Sequence, residues 1–322
     1  MNRFETKTPA GFGFSFGAKC ATSRDDVTLL TLSCPAKINL FLAITGRRAD
    51  GFHELVSVVA PVDWSDELTV SLTDSAEISF ECDDPRVPLG SENLVVRAVQ
   101  AYRNATGWSR GVHLNLSKRL PMGAGLGGGS SDAAMALRAV DALAGKLVGE
   151  HRLRELAVDV GSDCPFFLLG GAGVMRGRGE SLQALPDSVV SRLRGTRLLL
   201  FKPAFGVNTA WAYGRMAGAA PSMYTAPADA ERRLAAWCHD DASDLEAFCF
   251  NGMEPAVFSK YVAMPTLFKL LENQYGKHPR MSGSGSACFV ILKTDDDSHA
   301  LEATIRDALG PDALVKIAAL QI

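Results

Sequence analysis

Residues 118–132 read KRLPMGAGLGGGSSD, and five of the seven positions from Gly123 to Gly129 are glycine. Glycine tolerates positive φ, so several backbone N–H groups in such a segment can turn toward one point. The apolar residues from Ala133 to Leu143 share one broad helical face, which predicts a helix beginning at Ser130. The unpaired amides and the positive dipole end of a helix start attract anions. The segment therefore predicts a phosphate-binding loop, with the Ser130 and Ser131 hydroxyls available to phosphate oxygens or Mg²⁺.

Two other glycine motifs fit this segment less well. Gly123-x-Gly125-x-x-Gly128 fits the dinucleotide fingerprint, a match that is weak by itself. The preceding strand, Val112–Leu116, alternates polar and apolar residues, unlike the doubly buried strand of dinucleotide-binding folds, and no acid follows at a strand end about 20 residues on. The Gly-Lys-Ser/Thr of the Walker A motif is absent. A glycine turn without a ligand remains an alternative.

The bulk composition is that of an ordinary globular protein. The 322 residues suffice for two lobes, with 47% hydrophobic residues, 21% charged residues and a net charge of -3. No basic tract indicates a nucleic-acid partner, and the apolar runs are too short to span a membrane. Seven cysteines without a Cys-x-x-Cys pair favour a reduced, cytoplasmic protein over a disulfide framework or a zinc site.

The hydrophobic patterns predict an α+β fold with mostly antiparallel or mixed sheets. Strands are predicted at Val27–Leu32, Ile38–Ile44, Glu54–Val62, Glu67–Leu72, Glu77–Cys82, Val112–Leu116, Arg197–Phe201, Cys288–Leu292 and Leu314–Ile322. The first two are either separate strands or one strand bent at Cys34-Pro35. Helices are predicted at Leu94–Tyr102, from Ser130 onward, and at Glu150–Val158, Asn208–Met216, Ala228–Ala236, Phe258–Gln274 and Ala300–Leu309.

Two features predict the division of the chain. The glycines of Gly170–Gly173 and Gly177–Gly179 predict a flexible stretch between two lobes, 27–175 and 176–322, with the boundary near residue 175. Residues 1–26 are rich in glycine and phenylalanine and lack the apolar core of a secretory signal. They are predicted to be a mobile N-terminal extension, or to result from a start codon placed too far upstream.

Three segments carry a family resemblance. Pro121-x-x-x-Gly125-Leu126-Gly127 with the following Gly128–Ser131 resembles the phosphate loop of the kinase superfamily of galactokinase, homoserine kinase, mevalonate kinase and phosphomevalonate kinase. The whole of 118–131, together with PAKINLFLAITGRRADGFH at 35–53 and GSDCPFF at 161–167, is similar to one branch of it. Members of that branch phosphorylate 4-diphosphocytidyl-2-C-methyl-D-erythritol in non-mevalonate isoprenoid synthesis. The resemblance runs from about 33 to 173 and resumes at 281–287.

The resemblance implies a two-lobed α+β kinase with its active-site cleft between the lobes. ATP and Mg²⁺ would be its cofactors, and its partner would be a small molecule, a cytidine diphosphate alcohol phosphorylated on its 2-hydroxyl. A monomer or weak homodimer is expected. A sibling kinase or decarboxylase of the superfamily, and a non-catalytic nucleotide sensor, are the rival interpretations. The segment around His53 favours the cytidine-recognising branch, and retention of both Lys37 and Asp163 favours an enzyme.

The resemblance also implies the catalytic pair. Asp163 would accept the hydroxyl proton, and Lys37 beside it would orient the hydroxyl and neutralise charge on the transferring group, as phosphoryl transfer requires. From the residues alone, an aspartate after Gly-Ser is also typical of a turn or helix cap, and Lys37 of a solvated surface charge.

The binding residues come from the same motifs. The ATP-binding residues implied are Lys118, Pro121, Met122, Gly123, Ala124, Gly125, Leu126, Gly127, Gly128, Gly129, Ser130 and Ser131. The substrate-binding residues implied are Asn39, Phe52, His53, Thr209, Tyr213, Ser282, Gly283 and Ser284. Phe52 stands where the family usually has tyrosine, which retains stacking on a base and loses a phenolic hydrogen bond. Core packing remains an alternative for Tyr213, and a structural role for Lys118.

Overall fold

The computed structural model describes residues 28–322. The predicted extension 1–26, and Val27 of the first predicted strand, lie outside the described residues. The strands are β1 (Leu29–Arg47), β2 (His53–Thr73), β3 (Ile78–Cys82), β4 (Gly111–Ser117), β5 (Gly173–Gly177), β6 (Ser181–Ala184), β7 (Arg197–Lys202), β8 (Phe250–Asn251), β9 (Arg280–Met281), β10 (Cys288–Leu292) and β11 (Leu314–Ala319). The helices are α1 (Leu94–Thr106), α2 (Gly128–Leu143), α3 (Glu150–Val160), α4 (Cys164–Phe167), α5 (Asp187–Leu193), α6 (Thr209–Gly218), α7 (Pro227–His239), α8 (Leu245–Phe248), α9 (Glu254–Phe258), α10 (Ala263–Tyr275) and α11 (Ser298–Leu309).

The first sheet has seven strands around a long antiparallel hairpin of β1 and β2. Its order is β3-β4-β2-β1-β8, with β5 also paired to β2 and β6 to β5. β2 was predicted in two pieces, and β1 was predicted either as two strands or as one strand bent at Cys34-Pro35. The bend expected at Pro35 is a register shift between Pro35 and Ala36 within one continuous β1. The gap predicted in β2 was wrong, because Ser65 and Asp66 stay paired with β1 across that position.

The glycine-rich stretch near residue 175 is a β-hairpin, so the prediction that it is flexible was wrong. β5 pairs with β2 from Leu55↔Gly177 to Val59↔Gly173, and β6 pairs with β5. The sequence signal was the short apolar run within the glycines, since Val174 and Met175 are both 4% exposed in the core. The predicted lobe boundary falls inside this strand. β8, from the second half of the chain, pairs with β1 of the same sheet.

The second sheet is antiparallel, with the order β11-β7-β10-β9. Helices surround it, including α9 and α10. The helix predicted over Phe258–Gln274 begins only at Ala263, as α10, and its first predicted residue is the last residue of α9. Pro265 at the third position of α10 accounts for the interruption. Proline has no N–H, and its ring clashes with the carbonyl four residues earlier, so it is tolerated in the first turn of a helix and breaks an interior.

Three hydrophobic clusters hold these layers together. The first lies between the first sheet and helices α1–α4. The second joins β1 and β2 to the second sheet, to α7 and to Leu320 near the C-terminus. The third lies among the second sheet, α6 and α9–α11. No helix within residues 28–322 is both long enough and apolar enough to cross a bilayer.

Candidate active site

The glycine loop connects β4 to α2, which begins at Gly128, two residues before the predicted start. Gly125 and Gly127 have φ of 78° and 72°, a conformation that favours glycine. A Cβ on Gly125 would lie 2.2 Å from the carbonyl oxygen of Ser282, and one on Gly127 would lie 3.0 Å from Cγ of Lys37. The loop is therefore held at close range by two other segments. The first amides of α2 have no intrahelical acceptor and are free for an anion.

The Ser282–Ser286 loop braces the glycine loop from the C-terminal half. The Ser282 hydroxyl accepts the Asn39 backbone N–H at 3.3 Å and donates to the Gly125 carbonyl at 2.9 Å. One residue beyond the loop, Ala287 donates its N–H to the Ala124 carbonyl at 2.9 Å. These bonds tie three segments that are distant in sequence to one another.

Lys37 and Asp163 meet beside this loop. Lys37 Nζ lies 3.7 Å from Asp163 Oδ2 and donates a 2.8 Å hydrogen bond to Asn39 Oδ1. The Asn39 amide in turn donates to the Ser57 hydroxyl at 2.9 Å. Lys37 is 5% exposed, so it is not a solvated surface charge. Asp163 precedes α4, yet its side chain makes no capping hydrogen bond.

Lys118 is buried beneath the loop between two carboxylates. Its Nζ contacts Asp66 and lies 3.0 Å from Oδ2 of Asp132, the fifth residue of α2. Asp66 also accepts the backbone N–H groups of Arg119 and Leu120. Burial raises the pKa of Asp132 to about 7. The described contacts of the Lys118 ammonium are thus structural ones, which tie the segment before the loop to β2 and α2.

A cavity of about 1010 Å³ opens beside Lys37 and Asp163, with aromatic residues at its other end. His53 stacks on Tyr213 with ring centroids 4.7 Å apart, and its Nε2 is 3.2 Å from Tyr224 Oη. Burial lowers the pKa of His53, which favours its neutral form. Burial, assisted by the negative charge of Asp163, raises the pKa of Tyr213 to about 12. Phe52 is 49% exposed at the same cavity.

A smaller cavity of about 390 Å³ lies on the other side of the glycine loop. Its wall includes Val87, Pro88 and Leu94, which are apolar, and Asn93. Asn93 caps α1, because its Oδ1 accepts the Val95 N–H at 2.8 Å while its Nδ2 donates to the Pro88 carbonyl at 2.7 Å. The cavity therefore offers a largely apolar wall next to the glycine loop.

Comparison with known proteins identifies this arrangement. The model for the GHMP kinases N terminal domain matches residues 93–171, and the model for the GHMP kinases C terminal domain matches residues 228–310. A 4-diphosphocytidyl-2-C-methyl-D-erythritol kinase of Burkholderia pseudomallei is 40% identical over 272 residues, 84% of this chain and 88% of the relative. One of Synechococcus sp. is 38% identical over 273 residues, 82% of this chain and 88% of the relative. The chain belongs to the GHMP kinase family, among the 4-diphosphocytidyl-2-C-methyl-D-erythritol kinases.

Solved structures agree with this assignment. A crystal structure of 4-(cytidine 5'-diphospho)-2C-methyl-D-erythritol kinase is 33% identical, with a TM-score of 0.69 over 91% of this chain and 100% of the other. A homoserine kinase from Cytophaga hutchinsonii shares the fold, with a TM-score of 0.70 at 18% identity over 94% of this chain and 97% of the other. The GHMP kinase fold expected from the family resemblance is confirmed. The protein is a small-molecule kinase with ATP as its phosphate donor.

Most of the residues predicted for the site line one of the two cavities of this GHMP kinase. The larger cavity is lined by Lys37, Asn39, Phe52, His53, Gly123, Gly125, Gly127, Asp163, Thr209, Tyr213, Gly283 and Ser284. The smaller is lined by Lys118, Pro121, Met122, Gly123, Ala124, Gly125, Leu126, Gly127, Gly128, Gly129 and Ser130. Ser131 and Ser282 line neither, and both are 0% exposed. The functional roles of these residues remain predictions.

Sequence reasoning missed several residues of the site. Tyr224, bonded to His53, lies in a region with little recognisable pattern, and no sequence signal identified it. Arg178 lines the larger cavity from the turn between β5 and β6, which was predicted to be a flexible linker. Asn93 directly precedes the helix predicted at Leu94–Tyr102, and an asparagine at that position is the available sequence signal for a helix cap.

Proposed function

We propose that this kinase transfers the γ-phosphoryl group of ATP to the 2-hydroxyl of 4-diphosphocytidyl-2-C-methyl-D-erythritol in isoprenoid precursor synthesis. One observation carries the proposal: Lys37 Nζ and Asp163 Oδ2 are 3.7 Å apart in a cavity that opens onto the glycine loop. The relatives of 36–40% identity described as kinases of this substrate support the choice of alcohol.

The alcohol substrate would extend along the larger cavity. Its cytosine would stack on Tyr213 or Phe52, with His53 reading the base edge, because this end is aromatic and partly buried. Its 2-hydroxyl would reach Asp163, whose side chain is 39% exposed and therefore accessible to a ligand. Thr209 and Ser284, whose hydroxyls are 2.8 Å apart, would contact the intervening groups together with Gly283.

ATP would bind across the glycine loop, with its base in the smaller cavity and its phosphates on the first amides of α2. Among residues 28–322 no three His, Cys, Asp or Glu side chains form a metal site. Mg²⁺ fits this arrangement, because it is commonly bound by substrate phosphates, water and few protein oxygens. Ser130, at the cavity, would supply a hydroxyl. When bound, the ion would neutralise charge on the phosphates.

The protein's own residues would then act as follows. Asp163 accepts the proton of the 2-hydroxyl as its oxygen attacks the γ-phosphorus, and ADP leaves with the bridging oxygen. Lys37, held by Asn39, orients the acceptor and stabilises charge on the transferring group. The GHMP kinase thereby supplies mainly positioning and electrostatic stabilisation.

We also propose lobes at 27–175 and 176–322, a monomer or weak homodimer, and a cytoplasmic protein without nucleic-acid or membrane partners. The compartment is supported by six free cysteines in the described part of the chain, four of them buried.

ADP release by the purified full-length kinase tests the reaction. We expect turnover with the cytidine diphosphate alcohol, and neither mevalonate nor homoserine should be phosphorylated at a comparable kcat/KM. Equal turnover of those alcohols, with none on the cytidine substrate, would show that the proposed specificity is wrong.

A further inference from the structure

Arg178 is a cationic residue of the larger cavity that the proposed mechanism leaves unused. It lies in the turn between β5 and β6, is partly buried and lines the cavity. Its guanidinium carbon is 5.1 Å from the centroid of the Phe52 ring, a distance at which a cation and an aromatic face attract each other. This contact places the guanidinium at the cavity wall.

The carboxylates nearest to Arg178 are engaged elsewhere. Asp50 and Glu54 pair with Arg48 at 3.1 Å and 2.9 Å. One Glu180 oxygen lies 4.0 Å from Arg48, and the other accepts the backbone N–H of Arg178 itself at 2.6 Å. Within residues 28–322 no carboxylate forms an ion pair with the Arg178 guanidinium, although Asp50 is near enough for the two charges to attract each other. A partly buried cation without an ion-pair partner favours an anionic ligand.

The turn that carries Arg178 lies between the two ends of the cavity. A Cβ on Gly179 would be 3.2 Å from the carbonyl oxygen of Ser162, so the turn packs against the segment that carries Asp163. On its other side, Arg178 stacks on Phe52 at the aromatic end. Arg178 is therefore between the residues proposed for the reacting hydroxyl and those proposed for the base.

We propose that Arg178 binds the diphosphate that joins the cytidine to the alcohol. This inference rests on the proposed function, because a nucleoside diphosphate alcohol has its phosphates between the base and the hydroxyl. A guanidinium can donate two parallel N–H···O hydrogen bonds to phosphate oxygens. Arg178 would therefore increase the affinity for the substrate and fix the position of its diphosphate along the cavity. Arg47 also lines the cavity, and with Lys37 and Arg178 it outnumbers the lone carboxylate of Asp163 there.

Binding of CDP and of cytidine to the full-length enzyme tests this inference, by calorimetry or by competitive inhibition. For Arg178→Met we expect the Kd of CDP to rise roughly 10- to 100-fold, the effect of losing hydrogen bonds to a charged group. The Kd of cytidine should stay within about twofold, because cytidine has no phosphate. Arg178→Lys keeps the positive charge but loses the paired N–H donors of the guanidinium. Its Kd for CDP should therefore lie between the values of the wild type and of Arg178→Met.

Arg86→Met is the matched control, since Arg86 pairs with Asp84 on an exposed loop and should leave both affinities unchanged. Equal weakening of CDP and cytidine by Arg178→Met would overturn the inference, because Arg178 would then act through the Phe52 ring. Unchanged CDP binding would overturn it as well. If the wild-type protein binds no CDP, the proposed substrate is wrong as well. If Arg178→Met weakens the binding of CDP but not that of cytidine, the result supports both the role of Arg178 and the proposed substrate.

Discussion

Lys37 and Asp163 differ in how far solvent reaches their side chains, 6% exposure against 39%. The lysine is held by Asn39, whose side-chain amide donates to the Ser57 hydroxyl and whose backbone N–H donates to the Ser282 hydroxyl. Within residues 28–322 the acid forms an ion pair with Lys37 alone, and it faces the cavity. Such a pair combines a rigid cation with a carboxylate that a hydroxyl can approach.

Replacing the acid tests its assigned role. Asp163→Asn should reduce kcat by about 10²–10⁴-fold, because the amide cannot accept the hydroxyl proton. Steady-state kinetics should show a much smaller change in either KM, and the melting temperature should stay near that of the wild type. Asp159→Asn, on the exposed face of α3, removes the same charge nearby and should leave kcat unchanged. A near-normal kcat for Asp163→Asn would show that another group takes the proton.

Tyr224 offers a second test at the level of one atom. Tyr224→Phe removes the partner of His53 Nε2 and should raise KM for the cytidine substrate about 3- to 10-fold, the effect of one hydrogen bond. KM for ATP should not change. Tyr275→Phe is the control, because its hydroxyl bonds Thr304 outside both cavities. If both KM values rise together, the hydroxyl supports the fold rather than the histidine.

The motifs predicted which residues surround the site but not the direction of every side chain. Ser130 and Ser131 are adjacent, yet only Ser130 lines a cavity, because successive helix residues point about 100° apart and Ser131 faces the core. Likewise, the sequence around Lys118 does not reveal Asp66, whose carboxylate arrives from a different strand. Contacts between distant segments decide these orientations, and sequence spacing does not encode them.

Among the structural elements, the glycine loop depends most on backbone conformation. Gly125→Ala should lower stability by about 1–2 kcal/mol, the usual cost of a left-handed alanine. The Ser282 carbonyl, 2.2 Å from the new Cβ, would also displace the loop and raise KM for ATP roughly tenfold or more. Gly171→Ala, where nothing lies within 4 Å, is the control for thermal melting and kinetics. Wild-type KM for ATP in Gly125→Ala would contradict the assigned role of the loop.

Glu254, the first residue of α9, links stability to pH. Its Oε1 accepts the Met281 N–H at 2.9 Å, and burial raises its pKa from 4.5 to about 7. The folded protein therefore holds this proton more tightly than the unfolded chain does. Stability gained from that proton is complete below about pH 4.5 and is lost as the pH rises through about 7.

Glu254→Gln keeps the acceptor and cannot ionise, so unfolding free energy should fall less between pH 4.5 and pH 8 than in the wild type. The gain at pH 8 should be on the order of 1–3 kcal/mol. Denaturant titrations at both pH values measure it. Glu272→Gln, an exposed residue of α10, removes the same charge without this effect. Parallel pH profiles for wild type and Glu254→Gln would refute the linkage.

Periodicity predicted most elements because their burial alternates with the expected spacing. The α+β class and the antiparallel second sheet follow from such patterns. It failed where long-range pairing overrides local signals. The glycines near residue 175 indicate flexibility locally, yet β2 supplies a pairing edge that orders them. Conversely, apolar residues continue through Phe258–Gln274, whereas Pro265 is tolerated only in the first turn of a helix, and α10 begins at Ala263.

At the scale of the whole molecule, the two halves of the chain share one core. The second hydrophobic cluster includes Ala36 and Val62 of the hairpin, Leu198 of the second sheet and Leu320. Val62 and Leu320 also form an isolated β-bridge. Neither half can unfold without exposing apolar surface of the other.

We therefore expect one cooperative thermal transition, with calorimetric and van't Hoff enthalpies that agree. Saturation with CDP or with a nonhydrolysable ATP analogue should move this transition to higher temperature. At a ligand concentration of 100 times Kd, the free energy of unfolding should rise by about 2.7 kcal/mol. Scanning calorimetry measures both quantities. Two resolved transitions, of which a ligand moves only one, would mean that the halves unfold independently.

The two cavities share Gly123, Gly125 and Gly127 as a common wall. A bisubstrate inhibitor that tethers adenosine to cytidine through a polyphosphate would therefore cross one short ridge of backbone and occupy both cavities. Its second arm would bind at the high effective concentration set by the tether, so its potency would far exceed that of either nucleoside alone. Such an inhibitor would be selective for enzymes in which one glycine loop forms the wall between the two cavities.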